Sequence, residues 1–299
     1  MFKLREALVE ACITLIIGGL IGATVGVVAN LFVIGVESLG AHREASSLFS
    51  VNLGGQMVSF SSLLFLWAAA AAVLFIKASL NINQWAGPAD SIFAAQQQYQ
   101  PLNIRQGFAS TLGAFASAGG GASVGQYGPI VHFGATVGVW AKRFVSSRLS
   151  DDIYLGCGVA AAISAGFNAP IAGIIFAHEA VLRHFSMRAI APITIASISA
   201  STLGNYWFPN TASLNIAAVV PSLSEVVPTL VVLAPMFSLV AIVFMLTLRR
   251  ASSVASLLKL SPTKLLFLGA TICGLVGLWI PQILGLGISC INHMIAGEF

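Results

Sequence analysis

Long apolar runs separated by short polar stretches dominate the hydrophobicity pattern of this sequence. A helix needs about 20 apolar residues to cross a bilayer. Four runs reach that length, at roughly 8–38, 60–80, 226–250 and 263–283. The first is too long for the core of a signal peptide, which spans roughly 7–15 residues. We therefore predict four full-length transmembrane helices and interpret the first as a span, not as a removed leader.

The region from about 86 to 208 is also apolar, but glycine and proline interrupt it at short intervals. Interruptions fall at Gly87–Pro88, at Gly119–Gly121, at Gly128–Pro129 and at Asn168–Pro170. Irregular backbone at membrane depth is tolerated only where protein or a water-filled cavity surrounds it. Interrupted apolar segments of this kind indicate a transport site, and the alternative is a set of simple packing kinks.

Composition excludes several classes of protein. The 299 residues are 57% hydrophobic and only 8% charged, whereas ordinary soluble domains are roughly 25% charged. This excludes a soluble enzyme, a disordered chain and a secreted disulfide scaffold. Four scattered cysteines without a CxxC pair indicate neither a zinc site nor a redox motif. No other part of the sequence implies a metal or an organic cofactor. The net charge of +4 is not massed on one face or tail, so it predicts no nucleic-acid partner.

The distribution of charge predicts topology. Polar loops are predicted near 41–59, 209–225 and 249–264. The last contains four basic residues and no acid, and Lys3 and Arg5 are basic as well, so these segments should be cytoplasmic. The 209–225 loop has no basic residue and should face outward. We predict a single membrane domain over 1–299, without a soluble domain, in the cell membrane.

Several interrupted segments resemble helix starts that could hold an anion. Pro129 is expected at the first position of a helix, where its missing N–H costs nothing. Gly87–Pro88 opens a second candidate helix, and Pro170 a third with Asn168 as its cap. Free N–H groups and the positive end of the helix dipole favour an anion. No Asp or Glu lies between Asp90 and Asp151, and this scarcity of acids argues against a cation pathway.

Two motifs carry a family resemblance. Gly125–Pro129 (GQYGP) resembles the G-[KR]-E-G-P motif of the CLC chloride channel and transporter family, and Phe167–Glu179 (FNAPIAGIIFAHE) is similar to that family's F-N-A-P block. The resemblance implies an all-α polytopic bundle with broken and half-spanning helices and two inverted repeats. The first repeat would cover about 1–208. The second repeat would cover 226–299 and would be incomplete, because no match to the family's G-x-F-x-P block occurs within it. It also implies a homodimer of the complete protein, with an anion pathway in each subunit.

Departures from the family motifs bear on mechanism. By resemblance, the gating glutamate of the family falls on Tyr127, and the internal glutamate that exchangers use for proton transfer falls on Ala180. The serine of an early family block falls on Pro88, and Gln126 replaces a basic residue. A phenol with a reference pKa of about 10 does not shuttle protons near neutrality. We therefore predict passive chloride permeation without proton coupling; the alternative is a chloride/proton exchanger.

Tyr127 is the predicted gate within the anion pathway. The pathway residues are Gly87, Pro88, Gly125, Gln126, Tyr127, Gly128, Pro129 and Ile130. His132 is either a titrating group that tunes conduction or a packing histidine. Asn168 and Pro170 are expected to begin a helix that leads toward the dimer interface. Glu179 and Arg183 have the four-residue spacing of a helical ion pair, which predicts a structural role for Glu179.

Two alternatives belong to other classes. Gly121–Gly125 matches the G-x-S-x-G pattern of serine hydrolases, with His132 or His178 as the possible base. That pattern needs a preceding strand, whereas Thr111–Ala118 predicts an apolar helix. The second alternative is a non-conducting, structural half-protein that pairs with another chain.

Overall fold

The protein is a bundle of helices. The computed structural model describes residues 2–46, 50–53, 56–96, 102–145, 149–209 and 222–297. Its helices are α1 (Phe2–Ala45), α2 (Ser61–Ser79), α3 (Pro88–Gln96), α4 (Ile104–Gly119), α5 (Tyr127–Lys142), α6 (Asp151–Phe167), α7 (Pro170–Phe176), α8 (Met187–Trp207), α9 (Leu223–Leu257), α10 (Pro262–Trp279) and α11 (Ile288–Ala296). A π-helical turn, Ala177–Leu182, continues α7, and a 3-10 turn, Pro281–Ile283, follows α10.

In the described part of the chain, four helices are long and apolar enough to cross a membrane, which confirms the four predicted spans. They cover Val9–Ala45, Ser61–Ser79, Ser224–Leu257 and Pro262–Trp279. The first and third are longer than predicted: at a rise of about 1.5 Å per residue, both exceed a hydrocarbon core of about 30 Å. Their ends therefore continue as helix into polar sequence.

The loops predicted near 41–59 and 249–264 begin later than expected, so their predicted starts are wrong. Helix α1 extends to Ala45 and helix α9 to Leu257. The rest of the first loop contains an antiparallel hairpin that sequence analysis missed. Its strands are β1 (Ser50–Leu53) and β2 (Gln56–Ser59), with Ser50 opposite Ser59. Most of the predicted 209–225 loop lies outside the described residues.

Helix α6 forms the centre of the core. It packs against α1, α5 and α8, and every residue from Ile153 to Ala162 is buried. The crossing with α5 is close because Gly134 and Gly158 face each other, and a side chain on either would collide with the backbone of the other helix. Small residues permit such contact between membrane helices, where packing drives association.

The glycine face of α1 packs directly on α8. A Cβ on Gly18 would lie 2.7 Å from the Pro192 carbonyl oxygen, and one on Gly26 would lie 2.8 Å from the Ala200 carbonyl oxygen. The four-residue spacing of Gly18, Gly22 and Gly26 therefore allows close helix packing.

Helices α9 and α10 differ in their surroundings. Helix α10 packs against α2, and Trp67 Nε1 donates a hydrogen bond to Thr271 Oγ1 at 3.0 Å. In contrast, no residue in the apolar window of α9 is buried. Its apolar side chains therefore offer a surface suited to lipid or to other protein segments.

Candidate functional site

The starts of α3 and α5 lie against each other. A Cβ on Gly128 would stand 3.4 Å from Pro88 Cγ, so the two helix starts are in van der Waals contact. One turn deeper, Ser91 Oγ and His132 Nδ1 are 2.6 Å apart. Ser91 is 0% and His132 1% exposed. This buried hydrogen bond fixes the position of α3 relative to α5, and sequence analysis had no signal for the pairing.

Helix α5 begins two residues earlier than predicted. Its first residue is Tyr127, which follows the N-cap Gln126 and makes Pro129 the third helical residue instead of the first. The Ile130 N–H already bonds to the Gln126 carbonyl at 3.3 Å. Because the first four N–H groups of a helix lack intrahelical acceptors and proline has none, the N–H groups of Tyr127 and Gly128 are the ones suited to an anion.

The start of α3 is already capped. The Gly87 N–H donates to Asp90 Oδ2 at 2.7 Å, and the Ala86 N–H donates to Ser110 Oγ at 2.8 Å. Pro88 has no N–H. The carboxylate of Asp90 thus sits where a bound anion was expected, and Gly87 offers no free donor in this conformation. The three-residue spacing from Gly87 to Asp90 is that of a capping interaction and could have been recognised in the sequence.

A cavity of about 300 Å³ borders both helix starts. Its lining residues come from α2, α4, α10 and the segments around the starts of α3 and α5: Val73, Trp85, Ala86, Gly87, Pro88, Ser110, Gly113, Ala114, Ser117, Val124, Pro129 and Leu266. The structure thus brings three of the predicted pathway residues, Gly87, Pro88 and Pro129, to one cavity. A halide ion is far smaller than this space.

Tyr127 lies beside this cavity and is not one of the described residues that line it. Its ring stacks on Phe167, with centroids 4.1 Å apart and an interplanar angle of 27°. The ring also rests on Gly166, where a Cβ would come within 2.8 Å of Tyr127 Cδ1. The C-terminal end of α6 therefore holds the aromatic ring at the predicted gate position.

The neighbouring pathway residues differ in burial. Gln126 is 3% exposed, and within the described part of the chain its Oε1 has no hydrogen-bond partner. Ile130 is 1% exposed and belongs to the core. Gly125 has φ +73° with open space around it, so the backbone at this position needs glycine. The chain therefore turns sharply at Gly125 immediately before α5.

Asn168 does not cap α7, so that prediction is wrong. It ends α6 in the left-handed conformation with φ 50°, and the N-cap of α7 is Ala169. Asparagine tolerates this conformation better than most residues. Asn168 Oδ1 accepts hydrogen bonds from Ser201 Oγ at 2.9 Å and Asn205 Nδ2 at 2.8 Å. Pro170 does open α7, as predicted.

The predicted ion pair between Glu179 and Arg183 is absent, although both residues are described. Both side chains are exposed, and no ion pair joins them. Glu179 lies in the π-helical turn, and Arg183 follows that turn with φ 58°. In a π-helical turn the hydrogen bonds run from i to i+5, which changes the angle between successive side chains around the helix axis. Side chains four residues apart, such as those of Glu179 and Arg183, then no longer lie on the same face of the helix.

The geometry does not suit serine hydrolysis. Ser123 follows the helix α4, not a strand, and its side chain is exposed. His132 Nδ1 pairs with Ser91, while His178 Nδ1 lies 3.4 Å from the His184 carbonyl oxygen. No nucleophile–base pair involving Ser123 is present in the described residues.

Comparison with known proteins places the chain in a family. The sequence model described as "Voltage gated chloride channel" matches residues 67–299. The chain belongs to the voltage gated chloride channel (CLC) family. A ClcB-like protein from Ralstonia nicotianae is 25% identical over 200 residues, covering 64% of this chain and 46% of that protein. The "Voltage-gated ClC-type chloride channel ClcB" of Escherichia coli is 24% identical over 288 residues, covering 92% of this chain and 68% of that protein.

Solved CLC structures share the fold. A CLC-type fluoride/proton antiporter superposes with a TM-score of 0.77 at 21% identity, covering 96% of this chain and 71% of the other. A slow cyanobacterial Cl⁻/H⁺ antiporter superposes with a TM-score of 0.71 at 19% identity, covering 92% and 66%. The chain spans between 46% and 71% of the length of these two relatives and two solved structures. The predicted helical membrane fold of CLC type is confirmed.

Proposed function

We propose that this CLC-family chain forms an anion pathway through the membrane and that chloride is its substrate. The observation that carries the proposal is the contact between the starts of α3 and α5 beside a cavity, with the Tyr127 and Gly128 N–H groups at the positive end of α5. Family membership supports transport, and the printed name of the Escherichia coli relative supports chloride.

Coupling to protons is the finer question, and two mechanisms compete. Both solved neighbours are described as proton antiporters, which supports chloride/proton exchange better than the passive permeation predicted from the sequence. The residues favour passive permeation, because Tyr127 and Ala180 stand where the family resemblance expects carboxylates. Exchange through this chain needs a different titrating group. His132 is a candidate, because its reference pKa is about 6.5 and, of the described residues, none bonds to its Nε2.

Assembly and orientation belong to the same proposal. Exposed apolar side chains on α7 and α8 and in the segment between them suit a dimer interface: Ile171 is 73%, Phe185 73% and Met187 86% exposed. We assign this surface to a homodimer, and we place the N-terminus in the cytoplasm on the basis of the basic residues near it and in 249–264.

Measurements on purified protein in liposomes test both chloride transport and its coupling to protons. A chloride electrode should record efflux down a chloride gradient, and empty liposomes provide the control. Absence of efflux from correctly inserted protein would contradict transport and support the structural alternative. A pH electrode in the same vessel separates the mechanisms. Proton movement in fixed proportion to chloride identifies exchange, whereas chloride movement without protons identifies passive permeation.

A further inference from the structure

Ser110, in α4, is a buried hydroxyl that uses one of its two hydrogen-bonding roles. The residue is 8% exposed, and its Oγ accepts a hydrogen bond from the Ala86 N–H at 2.8 Å. Within the described ranges, no oxygen or nitrogen accepts from its own O–H. A serine hydroxyl both donates and accepts. Because a buried donor without an acceptor is costly, such a group normally has a partner.

The other two hydroxyls of α4 are bonded differently. Thr111 Oγ1 and Ser117 Oγ each donate to the carbonyl oxygen four residues earlier, at 3.0 and 2.9 Å. This bond within the helix is the common arrangement for a helical serine or threonine. Ser110 bonds instead to Ala86, in the segment that leads into α3. Of the three hydroxyls of α4, that of Ser110 is therefore the one whose hydrogen is available to a ligand.

Ser110 forms part of the wall of the cavity beside the starts of α3 and α5. That cavity, of about 300 Å³, is also lined by Gly87, Pro88 and Pro129. A serine side chain consists of Cβ and Oγ alone, so the surface that it contributes lies within one bond of the hydroxyl. An acceptor for the Ser110 O–H can therefore come from the cavity.

We propose that the Ser110 hydroxyl donates a hydrogen bond to the transported anion and helps the protein to select chloride. This inference rests on the proposed function. The Gly87 N–H is held by Asp90, whose carboxylate also opposes an anion at that position, so Ser110 supplies the donor on this side of the cavity. Taking an anion out of water costs free energy that new hydrogen bonds must replace. Chloride holds its water more tightly than the larger thiocyanate ion, so chloride depends more on this donor.

The dependence of efflux on anion concentration tests the role of this hydroxyl. Ser110→Ala should raise the half-saturating chloride concentration about tenfold or more, because a hydrogen bond to a charged group is lost. The half-saturating thiocyanate concentration should rise less. Ser110→Thr keeps the hydroxyl and adds a methyl group that the cavity can hold, so it should restore the chloride dependence of the unmutated protein.

Thr111→Val is the matched control. It removes the adjacent hydroxyl of the same helix, which donates to a backbone carbonyl, and Thr111 is not one of the residues that line the cavity. It should leave both half-saturating concentrations unchanged. A purely structural role of Ser110 would instead raise them equally in Ser110→Ala. That result would contradict the proposal, as would an unchanged chloride dependence in Ser110→Ala or a loss in Ser110→Thr as large as that in Ser110→Ala.

Crystals of the unmutated protein soaked in bromide test binding without any substitution. The proposal predicts an anomalous bromide peak within hydrogen-bond distance of Ser110 Oγ. Absence of this peak would overturn the role of Ser110, whether or not the protein transports chloride. A peak at Ser110 in a protein that transports no anion in liposomes would overturn the proposed function and leave Ser110 as an anion ligand.

Discussion

Gly166→Ala should perturb the gate position through a single methyl group. The added Cβ would lie 2.8 Å from Tyr127 Cδ1 and 3.0 Å from Cε1. Ordinary contacts between carbon atoms are about 3.5–4.0 Å, so the ring must move by about 0.5–1.2 Å. That movement disrupts its stacking on Phe167, which lies 4.1 Å away between centroids. A stacked aromatic pair contributes about 0.5–1.5 kcal/mol, which corresponds to a population change of about twofold to twelvefold.

The ring must move away from Gly166, and we expect this displacement to disturb the pathway beside the start of α5. We therefore expect Gly166→Ala to reduce chloride efflux from liposomes by about twofold to tenfold. Tyr127→Ala in the same chain should restore efflux, because the obstructing ring is gone. Gly156→Ala in the same helix is the control, since its nearest neighbours would be the flexible side-chain ends of Ile193 at 3.1 Å and Leu182 at 3.6 Å. Unchanged efflux in Gly166→Ala, or no rescue by Tyr127→Ala, would refute this argument.

Three further outcomes are expected. Gly22→Ala should lower the free energy of unfolding by about 1–3 kcal/mol, because its methyl group would collide with the Ala196 carbonyl. Gly19→Ala is the control and should be neutral, because its methyl group would meet Ile195 Cγ2 at 3.6 Å. Equal thermal denaturation temperatures of the two variants would contradict the close packing of α1 on α8. Tyr127→Glu should slow chloride efflux at neutral pH and restore it on acidification as the new carboxylate protonates; a flat pH profile would count against the gate. In a chain without native cysteines, an impermeant thiol reagent added outside should label Ser222→Cys and not Ser253→Cys; the opposite pattern would reverse the orientation.

The length of the apolar runs and the positions of proline predicted much of the fold. The apolar runs located the four spans, and the proline positions located the starts of α3 and α7. Boundaries in polar sequence failed, because the ends of α1 and α9 remain helical beyond the apolar run. Hydropathy alone reports where lipid can surround a helix and carries no signal for where the helix stops.

The candidate site was predicted in outline only. The motif around Tyr127 located the start of α5, but the partners of its residues come from distant parts of the chain. Ser91 and His132 are 41 positions apart, and Asn168 bonds to Asn205, 37 positions away. The local sequence shows where a glycine or proline interrupts a helix. It does not show which distant side chains pack against that interruption.

Chemical modification of the cavity is the most direct test of the central claim, that anions pass beside the starts of α3 and α5. Val124 lines this cavity and is 56% exposed, so a cysteine there is accessible to reagents. In a chain without native cysteines, a bulky thiol reagent should abolish most chloride efflux through Val124→Cys. Phe144→Cys, at a position 73% exposed and remote from the cavity lining, should be modified without loss. Full efflux from completely modified Val124→Cys would contradict the account.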